Sequence, residues 1–178
     1  MKILVTILLI LAAIIILLLI VAMLVKKDFS LEKQVVINKP KQEVFDYLKM
    51  IKNQEQYSVW VIKDPAVKIV YTGIDGTVGF TSAWQSNDKN VGVGEQEIKK
   101  INEGENMEVE IRFKKPFEGT NWSRTGVSTE TNGQTKVTTL FYGRNKFPIN
   151  IMNLFMDKLV GKDIQQNLEN MKRNLEKL

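Results

Sequence analysis

The chain has 178 residues, carries 25 Lys and Arg against 20 Asp and Glu, and contains neither His nor Cys. Without those two residue types there are no disulfides, no thiolate or Ser-His-Asp nucleophile and no zinc site built on His or Cys, so any chemistry falls to carboxylates, Tyr or Lys. The formal net charge of +5 shrinks once Lys2, Lys26 and Lys27, which flank an apolar run, are set aside: 22 basic residues then face 20 acidic ones, and that balance is no nucleic-acid footprint.

The apolar run, Ile3 to Val25, holds 23 residues with one hydroxyl, Thr6, and no charge. As a helix it reaches ~34 Å at about 1.5 Å per residue, enough to cross a hydrocarbon core of ~30 Å, and only a helix satisfies such a backbone in lipid. A cleaved signal peptide and a buried core helix are the competing readings. The run is long for either, and Val21-Ala22-Met23 is too bulky for a good cleavage site. The expectation is a single-pass anchor over residues 1–27 and one domain over 28–178. Only Lys2 precedes the span, whereas Lys26, Lys27, Lys33, Lys39 and Lys41 follow it, so the domain is expected on the cytoplasmic face.

Phe29–Asn38 reads as a strand through the β-branched run Val35-Val36-Ile37, and Asn38-Lys39-Pro40 stops it. Lys41–Met50 places Val44, Phe45 and Leu48 on one helical face. A second helical piece is predicted over Gln54–Trp60, ended by Asp64-Pro65. Strands follow at Ala66–Gly73, Gly79–Ser86 and Gly94–Ile101. In Met107–Lys114 apolar and charged residues alternate without a break, which predicts a sheet with a dry face of Met107, Val109, Ile111 and Phe113 and a wet face holding Glu108 and Glu110. Asn121–Thr131 and Gln134–Gly143 flank Asn132-Gly133, a type I′ hairpin dipeptide. From Pro148 a single long helix is predicted, with Met152, Phe155, Met156, Leu159, Val160, Ile164, Leu168, Met171, Leu175 and Leu178 recurring at three- and four-residue spacing.

One strand, two short helices, six antiparallel strands and a long final helix make an α+β domain in which the sheet covers its apolar face with that helix. Lys39-Pro40, the Val44-Phe45-x-Tyr47-Leu48 helix, Trp60 before Asp64-Pro65, Tyr71-Thr72-Gly73 with Gly79 and Trp84, Gly94-Glu95-Gln96-Glu97-Ile98, Pro116-Phe117 and Leu168-x-x-Met171-Lys172-x-x-Leu175 stand in one characteristic order. In that order the chain resembles the START-like, helix-grip (SRPBCC) superfamily, and most of all its polyketide cyclase/dehydrase and lipid-transport group. The resemblance covers Phe29 to Leu178. It implies a β-α-α-β6-α sheet wrapped on the C-terminal helix, with an apolar cavity between them. It licenses no particular reaction, since members share the fold and differ in activity.

The residues expected to line such a cavity are Trp60, Tyr71, Phe80, Trp84, Phe113, Trp122, Arg124, Phe141, Met152, Phe155, Met156 and Leu159. Ordinary core packing is the competing reading for each aromatic, and a surface position for Arg124. Glu95 and Glu97 share one strand face and would serve acid/base chemistry only if buried with separated pKa values. The function expected is binding of an apolar small molecule or lipid by a membrane-anchored domain. A cyclase/dehydrase-like enzyme and a ligand-free protein-interaction domain are the alternatives. The partners expected are the lipid bilayer, through Ile3–Val25, and the apolar ligand; no catalytic residue, metal, cofactor or nucleic acid is implied, and nothing specifies an oligomeric state. A linker of only a few residues before Phe29 would hold the domain against the bilayer surface.

Overall fold

The alternation in Met107–Lys114 is realised in a seven-stranded antiparallel sheet, seen in a computed structural model that describes residues 2–177. Helix α1 (Lys2–Leu24) is the apolar run. Its length and composition suffice to cross a membrane. Strand β1 (Asp28–Ile37), helix α2 (Lys41–Leu48), a 3-10 turn (Ile51–Asn53) and helices α3 (Gln54–Tyr57) and α4 (Val59–Lys63) follow. Then come β2 (Lys68–Thr72), β3 (Thr81–Gln85), β4 (Val93–Asn102), β5 (Asn106–Lys115), β6 (Gly119–Thr129) and β7 (Thr135–Arg144). The sheet order is β1-β7-β6-β5-β4-β3-β2, so β1 closes on β7 and every later strand pairs with its neighbour in sequence. Asn132 and Gly133 both adopt positive φ, 64° and 75°, as a primed turn requires.

Helix α2 buries Val44, Phe45 and Leu48, the face its spacing foretold. They join Ile37, Phe80, Ile98 and Val137 from the sheet and Leu168, Met171 and Leu175 from the C-terminal helix in one core. The second helical piece is two, not one: Ser58 is extended (φ −69°, ψ 122°) between α3 and α4. The backbone groups exposed by that break are taken by a row of asparagines on the C-terminal helix. Val59 N–H donates to Asn167 Oδ1 (2.7 Å), and the Asn170 and Asn174 amides donate to the carbonyls of Tyr57 (2.9 Å) and Gln56 (3.2 Å).

The final helix is long, but regular α geometry holds only over α5 (Lys162–Lys177). Ile149–Phe155 is 3-10 and Asp157–Gly161 is one wide π turn. The reason is packing. Helices gain most of their stability from a covered apolar face, and Ile149, Leu154 and Phe155 stand half-exposed. Asn150 and Asn153 instead turn toward the end of α1.

Candidate functional site

A cavity of about 520 Å³ lies between the sheet and the helical layer, within the ~300–1,000 Å³ that small-molecule sites occupy. Register decides which residues face it. Met107 pairs with Thr125, Val109 with Ser123, Ile111 with Asn121 and Phe113 with Gly119, so the dry face of β5 continues across β6 through Asn121, Ser123 and Thr125. On β7 the same face carries Thr139 and Phe141. On the other side of β5, Gln96 pairs with Ile111 and Gly94 with Phe113, and Ser82, Trp84, Ile69 and Tyr71 extend the wall to the sheet edge. The roof is Tyr57, Trp60 and Val61 with Met156, Leu159, Val160, Ile164, Leu168 and Met171.

Seven of the twelve expected liners therefore come together here: Trp60, Tyr71, Trp84, Phe113, Phe141, Met156 and Leu159. Trp84 lies across the backbone of Gly94, where a Cβ would stand 2.5 Å from its indole, and meets the Phe113 ring edge-on at 5.9 Å. Its Nε1–H donates to the Val91 carbonyl (3.2 Å).

The other five are elsewhere. Trp122 and Arg124 do share a face, but it is the outer one: they pair with Glu110 and Glu108, whose side chains alternate away from Val109. Arg124 donates to the Glu108 carboxylate (2.8 Å) on that outer surface. Phe80 is fully buried core, stacked on the Tyr71 ring at 5.8 Å, and backs the wall without lining it. Met152 and Phe155 lie on the exposed 3-10 segment near α1. Three- and four-residue spacing groups them with Met156 and Leu159, but at about 100° per residue Phe155 falls opposite Ile164 and Met152 falls well off the Ile164–Leu168 face.

The polar groups of the cavity were missed. Asn121, Ser123 and Thr125 follow directly from carrying the period of two across β5, and Thr125 and Thr139 hydroxyls are hydrogen bonded (3.0 Å). Gln96 donates to Gln54 across the cavity (2.8 Å). Tyr71 donates its hydroxyl to Glu55. Burial, and then the Glu55 carboxylate, pushes the Tyr71 phenol well above its ordinary range, and burial does the same to Tyr57. Both phenols are therefore neutral donors at physiological pH, not bases. Lys63 and Asp163 form an ion pair (2.9 Å) where α4 meets α5.

Glu95 and Glu97 are on the outer face. Arg112 donates to both, at 2.8 and 3.0 Å, and to Glu110. Lys114, then Arg112, holds the Glu95 carboxyl below its usual range, and Lys99 does the same for Glu97. Both are ionised surface groups with pKa values moved in the same direction, which suits a salt-bridge ladder and not an acid/base pair. Among the described residues no cluster of acidic side chains is arranged to hold a metal.

Among solved structures the domain is similar to Ara h 8.0201, at 12% identity over 85% of this chain and 99% of that one, with a TM-score of 0.58. It is similar to protein Ms6760 from Mycobacterium smegmatis at 15% identity over 84% and 92% of the two chains (TM-score 0.58). It also matches the di-domain ARO/CYC StfQ from the steffimycin biosynthetic pathway at 9% identity and a TM-score of 0.61, covering 84% of this chain and 51% of that one. At these identities the likeness is one of fold. No curated protein matches the sequence. The family described as polyketide cyclase / dehydrase and lipid transport matches residues 28–176. The helix-grip architecture and that match together show that the chain belongs to this family.

Proposed function

We propose that the domain binds an apolar small molecule or a lipid in the cavity under α5 while α1 anchors it in a membrane, with the domain on the cytoplasmic side. The cavity itself carries this reading: about 520 Å³, walled by Trp60, Trp84, Ile111, Phe113, Phe141 and Leu159, with a few hydroxyl and amide groups on β6. Apolar walls drive burial of ligand surface, and sparse polar groups orient it. Asn121 and Ser123 stand on one strip and would meet the polar end of the ligand. The binding reading is preferred to a cyclase or dehydrase because Glu95, Glu97, Glu108 and Glu110 face away from the cavity, and the two carboxylates that line it, Glu55 and Asp163, are held by Tyr71 and Lys63.

The test is native mass spectrometry of the full chain, released from detergent after incubation with a host lipid extract. The expected result is a retained apolar ligand that Ser123→Phe, which fills the cavity from β6, excludes while circular dichroism stays unchanged. An apo mass for both proteins would overturn the proposal.

A further inference from the structure

The cavity leaves one feature unexplained: Phe147, Ile149, Met152, Leu154 and Phe155 are 41 to 59% exposed within one short stretch. The other large apolar residues exposed on the domain outside this stretch stand four or more positions apart. The stretch lies at the foot of α1. Asn150, 1% exposed, donates through Nδ2 to the carbonyls of Ala22 (2.6 Å) and Val25 (2.8 Å). Asn153 Nδ2 donates to Lys26 O (2.9 Å) and Lys27 O (3.0 Å), and its Oδ1 accepts from the Asn145 amide (2.7 Å). The Asn145 backbone N–H also donates to Lys27 O (2.9 Å).

Carbonyls at the end of a helix have no partner within it; the Asn150 amide takes that of Ala22, in the last turn of α1, and the Val25 carbonyl just beyond, while Asn153 takes the carbonyls of Lys26 and Lys27 in the linker. Asn150 Oδ1 is buried without a hydrogen-bond partner among the described residues. An orphaned acceptor is costly, yet turning the amide over would set that oxygen against two carbonyl oxygens. The position is built around the end of α1.

We propose that Phe147–Leu159 is a membrane-seated collar. Asn150 and Asn153 fix the domain rigidly on the end of α1, and Ile149, Leu154 and Phe155 enter the headgroup and upper acyl region of the bilayer that α1 crosses. This rests on α1 spanning, as in the function proposed above. The occupant is the bilayer because the collar is hydrogen bonded to the last turn of the span, so a membrane is already at hand and no second protein is required. Exposed Lys146 precedes the collar and exposed Lys158 lies within it, exposed Lys26 and Lys27 adjoin it through the Asn153 hydrogen bonds, and these lysines suit anionic phosphate headgroups.

The collar also sets which end of the sheet meets the membrane. Asp28 pairs with Arg144, Gly143 with Asn121, Gly119 with Phe113 and Phe113 with Gly94. The membrane-facing end therefore holds the start of β1, the exposed Phe117 between β5 and β6, and the cavity liners Asn90 and Val91. Leu159 both lines the cavity and is half-exposed, so it stands at the rim, one turn beyond Phe155. The collar presses that rim to the lipid, and ligand passes between cavity and bilayer without crossing water.

The absence of Cys makes the test clean. Single-cysteine variants of the full chain, Ile149→Cys and Phe155→Cys, are labelled with an environment-sensitive nitrobenzoxadiazole probe in phosphatidylcholine/phosphatidylglycerol vesicles. Ile74→Cys, exposed in the β2–β3 turn at the opposite end of the sheet, is the reference. Blue-shifted emission and quenching by lipids spin-labelled near the headgroup are expected at 149 and 155 and not at 74; equal water exposure at all three sites overturns the collar. Added to Phe155→Cys, Asn150→Ala should return the probe to a water-like emission while the chain stays in the vesicle. Asn153→Ala removes fewer buried contacts and serves if Asn150→Ala fails to fold. A folded Asn153→Ala chain with unchanged quenching overturns the clamp. Ligand retention is read on the same preparations. A wet collar with a loaded cavity overturns the collar alone; a dry collar with an empty cavity supports it and overturns the ligand-binding reading.

Discussion

Between Lys162 and Lys177, Ile164, Leu168, Met171 and Leu175 are buried against the sheet, whereas between Met152 and Leu159 residues at similar spacing, Met152, Phe155 and Leu159, stand half-exposed. The first stretch is regular α-helix and the second is 3-10 followed by a π turn. Apolar spacing names a face of a helix; it does not name what covers that face. The sheet covers the α5 face with Ile37, Val35 and Ile98. Toward Pro148 the chain has passed the sheet and meets the end of α1, where regular backbone bonding gives way to side-chain amides.

The largest expected effect lies in the covered half. Leu168→Ala should destabilise the domain by about 2–5 kcal/mol, the usual cost of removing a buried leucine, because Leu168 is buried in the core and also roofs the cavity. Urea unfolding of the full chain in detergent, followed by near-ultraviolet circular dichroism, reads this directly. A loss below ~0.5 kcal/mol, the range of surface changes, would break the contrast between the halves.

A smaller effect is expected at Gly161, the junction of the two halves. It is buried, and an added Cβ would stand 2.4 Å from Asp157 Oδ1 and 3.1 Å from Lys33 Cε. Both are far ends of flexible side chains joined in an ion pair of 2.7 Å, and they can move aside. Gly161→Ala gives up that pair, worth ~1 kcal/mol at most on a surface, and recovers about 0.5–1 kcal/mol of backbone entropy in a helical turn. A midpoint within ~1 kcal/mol of the parent is expected on these grounds. A large loss would mean that the π turn is rigidly specified and not a consequence of missing cover.

These two halves also show how much was legible in advance. The period of two in β5 located the dry face, and the short α2 pattern located Val44, Phe45 and Leu48, because each stretch answers to one sheet or one core. Residue type points Trp122 and Arg124 toward a cavity, whereas register sets both on the outer face, where the competing surface reading for Arg124 also has it. Pairing β6 to β5 through Met107 and Thr125 would have set Asn121 and Ser123 inward. The asparagines were silent for a different reason. Asn150, Asn153, Asn167, Asn170 and Asn174 each satisfy backbone groups far away in the chain, and no local pattern announces a partner more than a hundred residues distant.

The smallest expected effect on the fold, and the sharpest test of the contrast, is Leu154→Ser in the uncovered half. Leu154 is not covered by the rest of the chain, so its loss removes little buried surface, and the unfolding midpoint in detergent should lie within ~0.5 kcal/mol of the parent. The same substitution in Leu168 would combine a cavity with an unpaired hydroxyl in an apolar core, and both costs add. If Leu154 reaches into lipid as the collar requires, the change appears elsewhere: ligand transfer from donor vesicles to the cavity should slow, with the amount bound at equilibrium unchanged. Slower transfer with unchanged stability would mean that the two halves of one apolar pattern have divided the work, α5 closing the cavity and the collar seating its rim. Unchanged transfer would return Leu154 to the class of scattered exposed apolar residues that need no explanation.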